Sequence, residues 1–307
     1  MNKILITGAS GFIGKNLQNK LKITNFEEET VCCWVLSYNH DLRDKTKTEK
    51  LFEDFAPTHV IHLASKVAGL GGHNNNHYQF LDQNCLINLN VLRSCIINDV
   101  KNVLAISSIA AFPVTKEIIK EELLNTAPPH KSEIGYSLSK CLLDSQIQLI
   151  RQEYNLNYCN IIPVNVYGPH DNFDLETSHV IAGLIHKFYL AIKNNADVTI
   201  WGDGSSYRQF IFVEDLIDIL INLLQYKDYP DRLILAHPQI YHINEIVGLL
   251  SQITGFKGNI IYDTSKPSGL QGRECSIDRL IDLELGPPPT SLEKGLKISW
   301  DWFNKNY

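Results

Sequence analysis

The seven residues Gly8-Ala9-Ser10-Gly11-Phe12-Ile13-Gly14 constrain the fold more than any other stretch. They follow a short apolar run, Ile4 to Ile6, and open an amphipathic one, Ile13 to Leu21. A G-x-x-G-x-x-G spacing between a strand and a helix lets backbone N–H groups approach a pyrophosphate, whose charge the helix N-terminus favours. The alternative is a glycine turn that merely joins the two elements. The strand before the loop and the helix after it select the nucleotide reading and make Gly8, Ser10, Gly11, Phe12, Ile13 and Gly14 cofactor contacts.

The rest of the chain repeats that rhythm. Apolar runs at Ile4 to Ile6, Val31 to Leu36, His59 to Leu63, Val103 to Ile106 and Tyr158 to Pro163 alternate with amphipathic stretches such as Leu86 to Ile97. Buried parallel strands read as continuous apolar runs, and right-handed crossovers place helices on both faces, so an α/β doubly wound parallel sheet of the Rossmann type is expected. At 307 residues the chain exceeds what one core usually organises, which calls for a smaller α/β substrate-binding lobe as well. The text changes character after Val166: a turn-rich passage, then a helix from about His179 to Asn194 and a strand from Val198 to Trp201. We therefore expect residues 1–166 and about 205–232, including a helix from Val213 to Leu224, to form the cofactor domain, with about 167–204 and 233–307 as the second lobe. No internal repeat is present.

Net charge of -6 disfavours nonspecific nucleic-acid binding but leaves room for a local basic pocket around one anionic ligand. The seven cysteines are scattered without a C-x-x-C pair, so neither a disulfide framework nor a metal site is readable, and a reducing compartment fits. No apolar run approaches a membrane span, and the N-terminus lacks the form of a signal peptide. The expected location is the cytoplasm.

Where the simplest NAD-binding pattern ends its second strand in a carboxylate, this chain reads Leu36-Ser37-Tyr38-Asn39-His40. With no carboxylate there to repel a 2′-phosphate, NADP is favoured over NAD, although no Arg stands out as a phosphate clamp. Asp41 is placed beside the adenine end of the cofactor; a helix N-cap would read the same way.

Tyr136 and Lys140 stand four apart in Gly135-Tyr136-Ser137-Leu138-Ser139-Lys140, which puts both side chains on one helical face. A neighbouring ammonium lowers a phenol's pKa and makes it useful near neutrality; an exposed helix pair is the bland alternative. Ser107 decides between them, because a hydroxyl at the end of a buried strand is expensive unless it faces a cleft at the sheet's carboxyl edge. Ser107 can then bond a substrate carbonyl while Tyr136 donates a proton to the same oxygen, with Lys140 reaching the cofactor ribose.

These residues resemble the extended short-chain dehydrogenase/reductases and, within them, the GDP-L-fucose synthases. The likeness is carried by Pro57 to Ala64, by Gly135 to Lys140, and most specifically by Pro163-Val164-Asn165-Val166-Tyr167-Gly168-Pro169-His170-Asp171-Asn172-Phe173. Ser178-His179-Val180, Gly183 to Lys187 and Trp201 through Phe210 continue it. The resemblance implies an NADP-dependent sugar-nucleotide oxidoreductase with Ser107, Tyr136, Lys140 and His179 as catalytic residues. It adds Leu63, Ala64, Pro163, Asn165, Val166 and His179 along the cofactor, and Ser108, Asn165, Lys187, Trp201 and Arg208 on a GDP-linked 4-keto-6-deoxyhexose. It also implies a homodimer. Taken singly, Arg208 reads as a surface ion pair, Trp201 as a core aromatic and His170 as a solvated turn.

Two positions depart from the family pattern. A cysteine is expected two residues after Ser107 to work with His179 in 3,5-epimerisation, but the run reads Ser107-Ser108-Ile109-Ala110-Ala111-Phe112-Pro113. In Lys266-Pro267-Ser268-Gly269, a serine stands where an aspartate is usual. Hydride transfer is thus expected, while epimerisation either survives through a substituted base or is lost. The alternatives are a 4-keto sugar-nucleotide reductase without epimerase activity and a non-catalytic NADP-sensing protein.

Overall fold

The computed structural model describes residues 2–23, 30–73, 76–265 and 271–307. The first part runs β1 (Asn2–Thr7), α1 (Phe12–Ile23), β2 (Thr30–Val35), α2 (Lys45–Phe55), β3 (His59–His62), a one-turn α3 (Leu70–His73), α4 (His77–Ile97), β4 (Asn102–Ile106), α5 (Ile134–Tyr154) and β5 (Asn157–Pro163). It continues with β6 (Asn165–Tyr167), α6 (Val180–Asn194), β7 (Val198–Trp201), β8 (Tyr207–Phe212), α7 (Val213–Leu223), β9 (Arg232–Leu235), β10 (Ile240–His242), α8 (Ile243–Thr254), β11 (Ile260–Asp263), α9 (Asp278–Asp282) and α10 (Leu292–Asn306).

Six parallel strands form the main sheet in the order β2-β1-β3-β4-β5-β9. The alternation of a strand decides which core each residue joins. Ile4 and Ile6 of β1 pack on the face shared with Leu17 of α1 and Leu216 and Leu220 of α7. Leu5, between them, packs on the opposite face with Val91 and Leu92 of α4 and Leu143 and Ile147 of α5. Because both faces are covered, the strands need continuous apolar sequence, which is why they were legible. The chain passes from β1 to β2 on one side and then crosses to β3 on the other, so the loops leaving β1 and β3 diverge. That divergence opens a crevice at the carboxyl edge of the sheet.

A separate core joins Tyr167, Phe188, Phe210, Phe212, Val247, Leu250 and Phe303, drawn from β6, α6, β8, α8 and α10. Above it lie a three-stranded sheet, β10-β8-β6, and a two-stranded one, β11-β7. Strand β8 therefore sits in the smaller sheet, and β9 closes the larger one. The Pro169–Phe173 passage ties the two cores together: Asn16 of α1 donates to the Pro169 carbonyl at 2.7 Å, the His170 ring packs tilted against Trp302 at 4.7 Å, and Phe173 meets Phe303 at 4.6 Å. His170 is thus a packed aromatic contact, not a solvated turn.

Helix α4 begins at His77, nine residues before the Leu86 expected from the apolar pattern. Its inward face carries Asn84, Asn88 and Asn90 as well as Phe80, Val91 and Leu92, all buried, so hydrophobicity alone does not trace it. The amides are satisfied: Asn90 donates to the carbonyls of Leu42 and Arg43, and Asn84 accepts from the Lys66 N–H at 2.7 Å. A buried amide with partners holds a loop as firmly as apolar packing holds a helix.

Candidate active site

Gly8 has a backbone φ of +70°, and a Cβ placed there would meet the backbone of Leu63 and Ala64 at 2.7–2.8 Å. The loop after β1 is therefore pressed against the end of β3, which Ala allows at neither its torsion nor its volume. Gly8→Ala should cost about 1–3 kcal/mol. A lowered urea midpoint with unchanged slope is the expected readout; an unchanged midpoint would show that the loop relaxes freely.

From this loop a cavity of about 950 Å³ runs along the carboxyl edge of the sheet. One end holds Ser37, His40, Asp41 and Arg43; the middle holds the loop, Leu63 and Ala64; the far end holds Ser107, Tyr136, Lys140 and Pro163 to Val166. Asp44, not Asp41, caps α2 through the Lys47 N–H. Asp41 is instead forked by Arg43, with Nε and an Nη each donating at 2.8 Å. That guanidinium holds the Asp41 carboxyl below its ordinary pKa. Arg43 thus supplies the cation that the end of β2 lacked. Its sequence signal was its place two residues beyond an aspartate, legible only once the loop's path is known.

At the catalytic end, Tyr136 and Lys140 are 7% and 2% exposed, which excludes the exposed-pair alternative. Gly135 lets α5 begin against α4: a Cβ there would fall 1.8 Å from the His77 carbonyl oxygen. The Lys140 Nζ donates to the Ile106 carbonyl at 2.8 Å and lies 5.5 Å from the Tyr136 ring centroid. Burial brings Lys140 down to about 7 and pushes Tyr136 up, the latter opposed by a hydrogen bond with Ser108. The expectation that Lys140 lowers the phenol's pKa is therefore not met in the protein alone. Both groups lose more from desolvation than the pair returns, so Tyr136 is a protonated donor. Ser107 is 2% exposed, and its Oγ has no hydrogen-bond partner although it lines the cavity. A buried hydroxyl left unpaired is costly unless something else bonds it. Ser108, by contrast, caps the turn Ile109–Ala111 through the Ala110 N–H.

Behind this end lies a network that sequence reading missed. His62 is fully buried between the Thr7 hydroxyl at 2.7 Å and the Asn88 carbonyl oxygen at 3.0 Å, and burial takes it down to about 4, so it stays neutral. Thr7 also accepts from the Ala64 N–H. The chain thus couples β1, β3 and α4 directly beneath the cleft. Asn84 and Asn88, four apart on the inward face of α4, were the available signal.

On the other wall, the exposed His179 side chain lines the cavity at the start of α6, and desolvation by the surrounding cleft lowers its pKa. Lys187 lies over Trp201 at 5.2 Å and donates to the Thr199 carbonyl. Trp201 is 51% exposed, hence no core aromatic. Arg208 makes no ion pair among the described residues; it donates to the carbonyls of Tyr207 and Gln271 and faces the cavity. Arg273 lines the same wall and donates to the carbonyls of Ile109 and Phe112. Every residue assigned from sequence to catalysis, cofactor or substrate borders this one cavity. The Lys266–Gly269 position lies outside the described residues. No group of metal-ligating side chains occurs among the described residues, and no described helix is long and apolar enough to cross a membrane.

Residues 4–236 match the NAD dependent epimerase/dehydratase family. The chain belongs to that family. A GDP-L-fucose synthase of Dictyostelium discoideum is 36% identical over 307 residues, covering 99% of this chain and 96% of that protein. A probable GDP-L-fucose synthase of Drosophila melanogaster is 34% identical, with coverage of 100% and 98%. The crystal structure of a GDP-L-fucose synthetase from Naegleria fowleri bound to NADP superposes with a TM-score of 0.90 at 30% identity, over 100% of this chain and 95% of that one. These full-length relatives bear out the resemblance read from the motifs. In this epimerase/dehydratase-family chain the residues after Ser108, Ile109 to Ala111, form a one-turn helix with no titratable side chain.

Proposed function

We propose that the chain is an NADPH-dependent reductase of the 4-keto group of a GDP-linked 4-keto-6-deoxyhexose, as in the GDP-L-fucose synthases. The observation that carries this reading is the buried, unpartnered Ser107 Oγ beside Tyr136 and Lys140, at the end of a cleft that the glycine loop opens. The cleft fits an extended dinucleotide, from Arg43 at the 2′-phosphate, past the first turn of α1 at the pyrophosphate, to Lys140 at the nicotinamide ribose. The relative bound to NADP supports the same cofactor. Bound NADPH supplies the hydride. Ser107 and Tyr136 hold the ketone oxygen, and Tyr136 gives it a proton as negative charge develops there. Arg208 and Lys187 face the diphosphate, and Trp201 offers a face for the base. His179 and Asn165 close the wall beside the sugar.

The Ile109–Ala111 turn holds no acid or base, so proton exchange at C3 and C5 needs a base from elsewhere in the cleft, and without one the site is a reductase only. We assign the cofactor to residues 1–166 and about 213–236, a correction to the expected 205–232, because α7 and β9 pack in the core of the main sheet whereas β8 belongs to the smaller one; the remainder forms the sugar-nucleotide lobe. We also propose a homodimer through α4 and α5, where Tyr78, Leu86, Leu89, Leu138, Leu142 and Leu149 are exposed side by side along two packed helices. The described cysteines are all free thiols, which supports a reducing compartment, the cytoplasm.

The test is NADPH oxidation with 4-keto-6-deoxy sugars carried on GDP, UDP and dTDP. Oxidation with the GDP substrate at a kcat/KM at least about tenfold above the others is expected, since the wrong base leaves buried polar groups unpaired. Saturable NADPH binding without oxidation on any of them would instead identify a sensor.

A further inference from the structure

Glu133 lines the cavity one helical turn before Tyr136 and has no evident structural task. It occupies the N-cap position of α5, yet its side chain caps nothing. It forms no ion pair or hydrogen bond among the described residues: Arg208 and Arg273, both within electrostatic reach, give their donors to main-chain carbonyls instead. Residues 133, 136 and 140 fall at i, i+3 and i+7, so the carboxylate, the phenol and the ammonium share one face of α5 and that face meets the cleft. The Glu133 carboxyl is pushed up by burial, with Arg273, His130 and Arg208 opposing, which moves it toward the range of a useful base.

A ketone held by Tyr136 and Ser107 acidifies the carbons on either side of it. We propose that Glu133 takes the place of the cysteine absent after Ser107, as the base that exchanges the proton on a carbon flanking the ketone. The proposal rests on the keto-sugar reading above. In the step, the C–H bond breaks and its proton forms an O–H bond on the Glu133 carboxylate. The electron pair moves into a carbon–carbon double bond, and the ketone oxygen becomes an enolate oxygen held by Tyr136 and Ser107. Return of a proton to carbon from the Glu133 carboxyl restores the ketone, and exchange of that carboxyl proton with solvent labels the sugar. The preorganised donors serve both reactions, because the charge develops on the same oxygen. Among the cavity's other candidates, His179 stands on the other wall at the start of α6, and the Cys275 thiol, pushed up to about 12 by burial, is a poor base near neutrality.

The experiment is incubation of the GDP-4-keto-6-deoxyhexose with enzyme in heavy water without reduced cofactor, with deuterium in the sugar read by mass spectrometry, alongside NADPH oxidation on the same preparations. Wild type is expected to do both. Glu133→Gln is expected to lose about 100-fold or more of the exchange while keeping reduction within about threefold, with Glu133→Asp recovering part of the exchange. Exchange by Glu133→Gln at the wild-type rate overturns the proposal. So does a raised KM with exchange and reduction falling together, which would make Glu133 a sugar-binding residue. Wild type that reduces without exchanging removes the isomerase step and leaves the reductase standing. Wild type that does neither removes the reductase reading itself.

Discussion

Tyr136→Phe should lower NADPH-dependent turnover by about 10²–10⁴-fold, the range spanned by general acid–base groups, while leaving NADPH affinity within a few-fold. The variant keeps the ring that stands 5.9 Å from His73 and loses only the hydroxyl, so packing is preserved. Its effect should fall on kcat rather than KM, because the proton is delivered only as the ketone oxygen gains charge. Burial holds the phenol protonated, and a donor in that state needs no partner ammonium to prepare it. Turnover measured with saturating cofactor, together with an NADPH fluorescence titration, checks both halves. A variant that retains a tenth of wild-type kcat would shift the proton-donor role to Ser107 or a water.

Lys140→Met should separate stability from activity. Lys140 is 2% exposed and its pKa is lowered from 10.5 to about 7 by burial. Between those values the unfolded chain binds more protons than the folded one, so this residue makes stability rise with pH across that window. Below about pH 7 the penalty for burying an ammonium is present in full. Met removes it at the cost of one hydrogen bond to the Ile106 carbonyl, worth about 1 kcal/mol. The variant should be more stable than wild type by about 1–3 kcal/mol at pH 6, the advantage vanishing toward pH 10. Its turnover should fall by at least about 100-fold, because the cofactor ribose loses its ammonium. Urea titrations at pH 6 and 9.5 test the linkage. Parallel pH dependences for the two proteins would show that Lys140 is not desolvated as the geometry requires.

Both expectations concern residues visible in the sequence, but their state was not. Tyr136 and Lys140 are recognisable from spacing because a helix returns a side chain to the same face every three to four residues, and Ser107 from the cost of a hydroxyl at the end of a buried strand. Spacing says nothing about how many water molecules reach those side chains. The sign of the Tyr136 shift depends on that, and it came out opposite to the simple pair argument. Arg43 and Glu133 show the same boundary. Each is an ordinary charged residue in sequence. Each acquires significance only because the chain path brings it to the cavity, the first onto Asp41 and the second without a partner.

What the sequence determined by itself was local and periodic: the glycine loop between strand and helix, the continuous apolar strands that demand cover on both faces, and the i, i+4 pair on α5. These follow from backbone geometry and from hydrophobic burial, which act over a few residues. The tertiary structure alone decided which distant groups share a low-dielectric cleft. It placed the buried Asn84 and Asn88 under the site, turned His170 into a packing contact, and left the Ser107 hydroxyl unpaired. Electrostatics and desolvation depend on neighbours tens to hundreds of residues away in sequence, and only the folded chain brings those neighbours together.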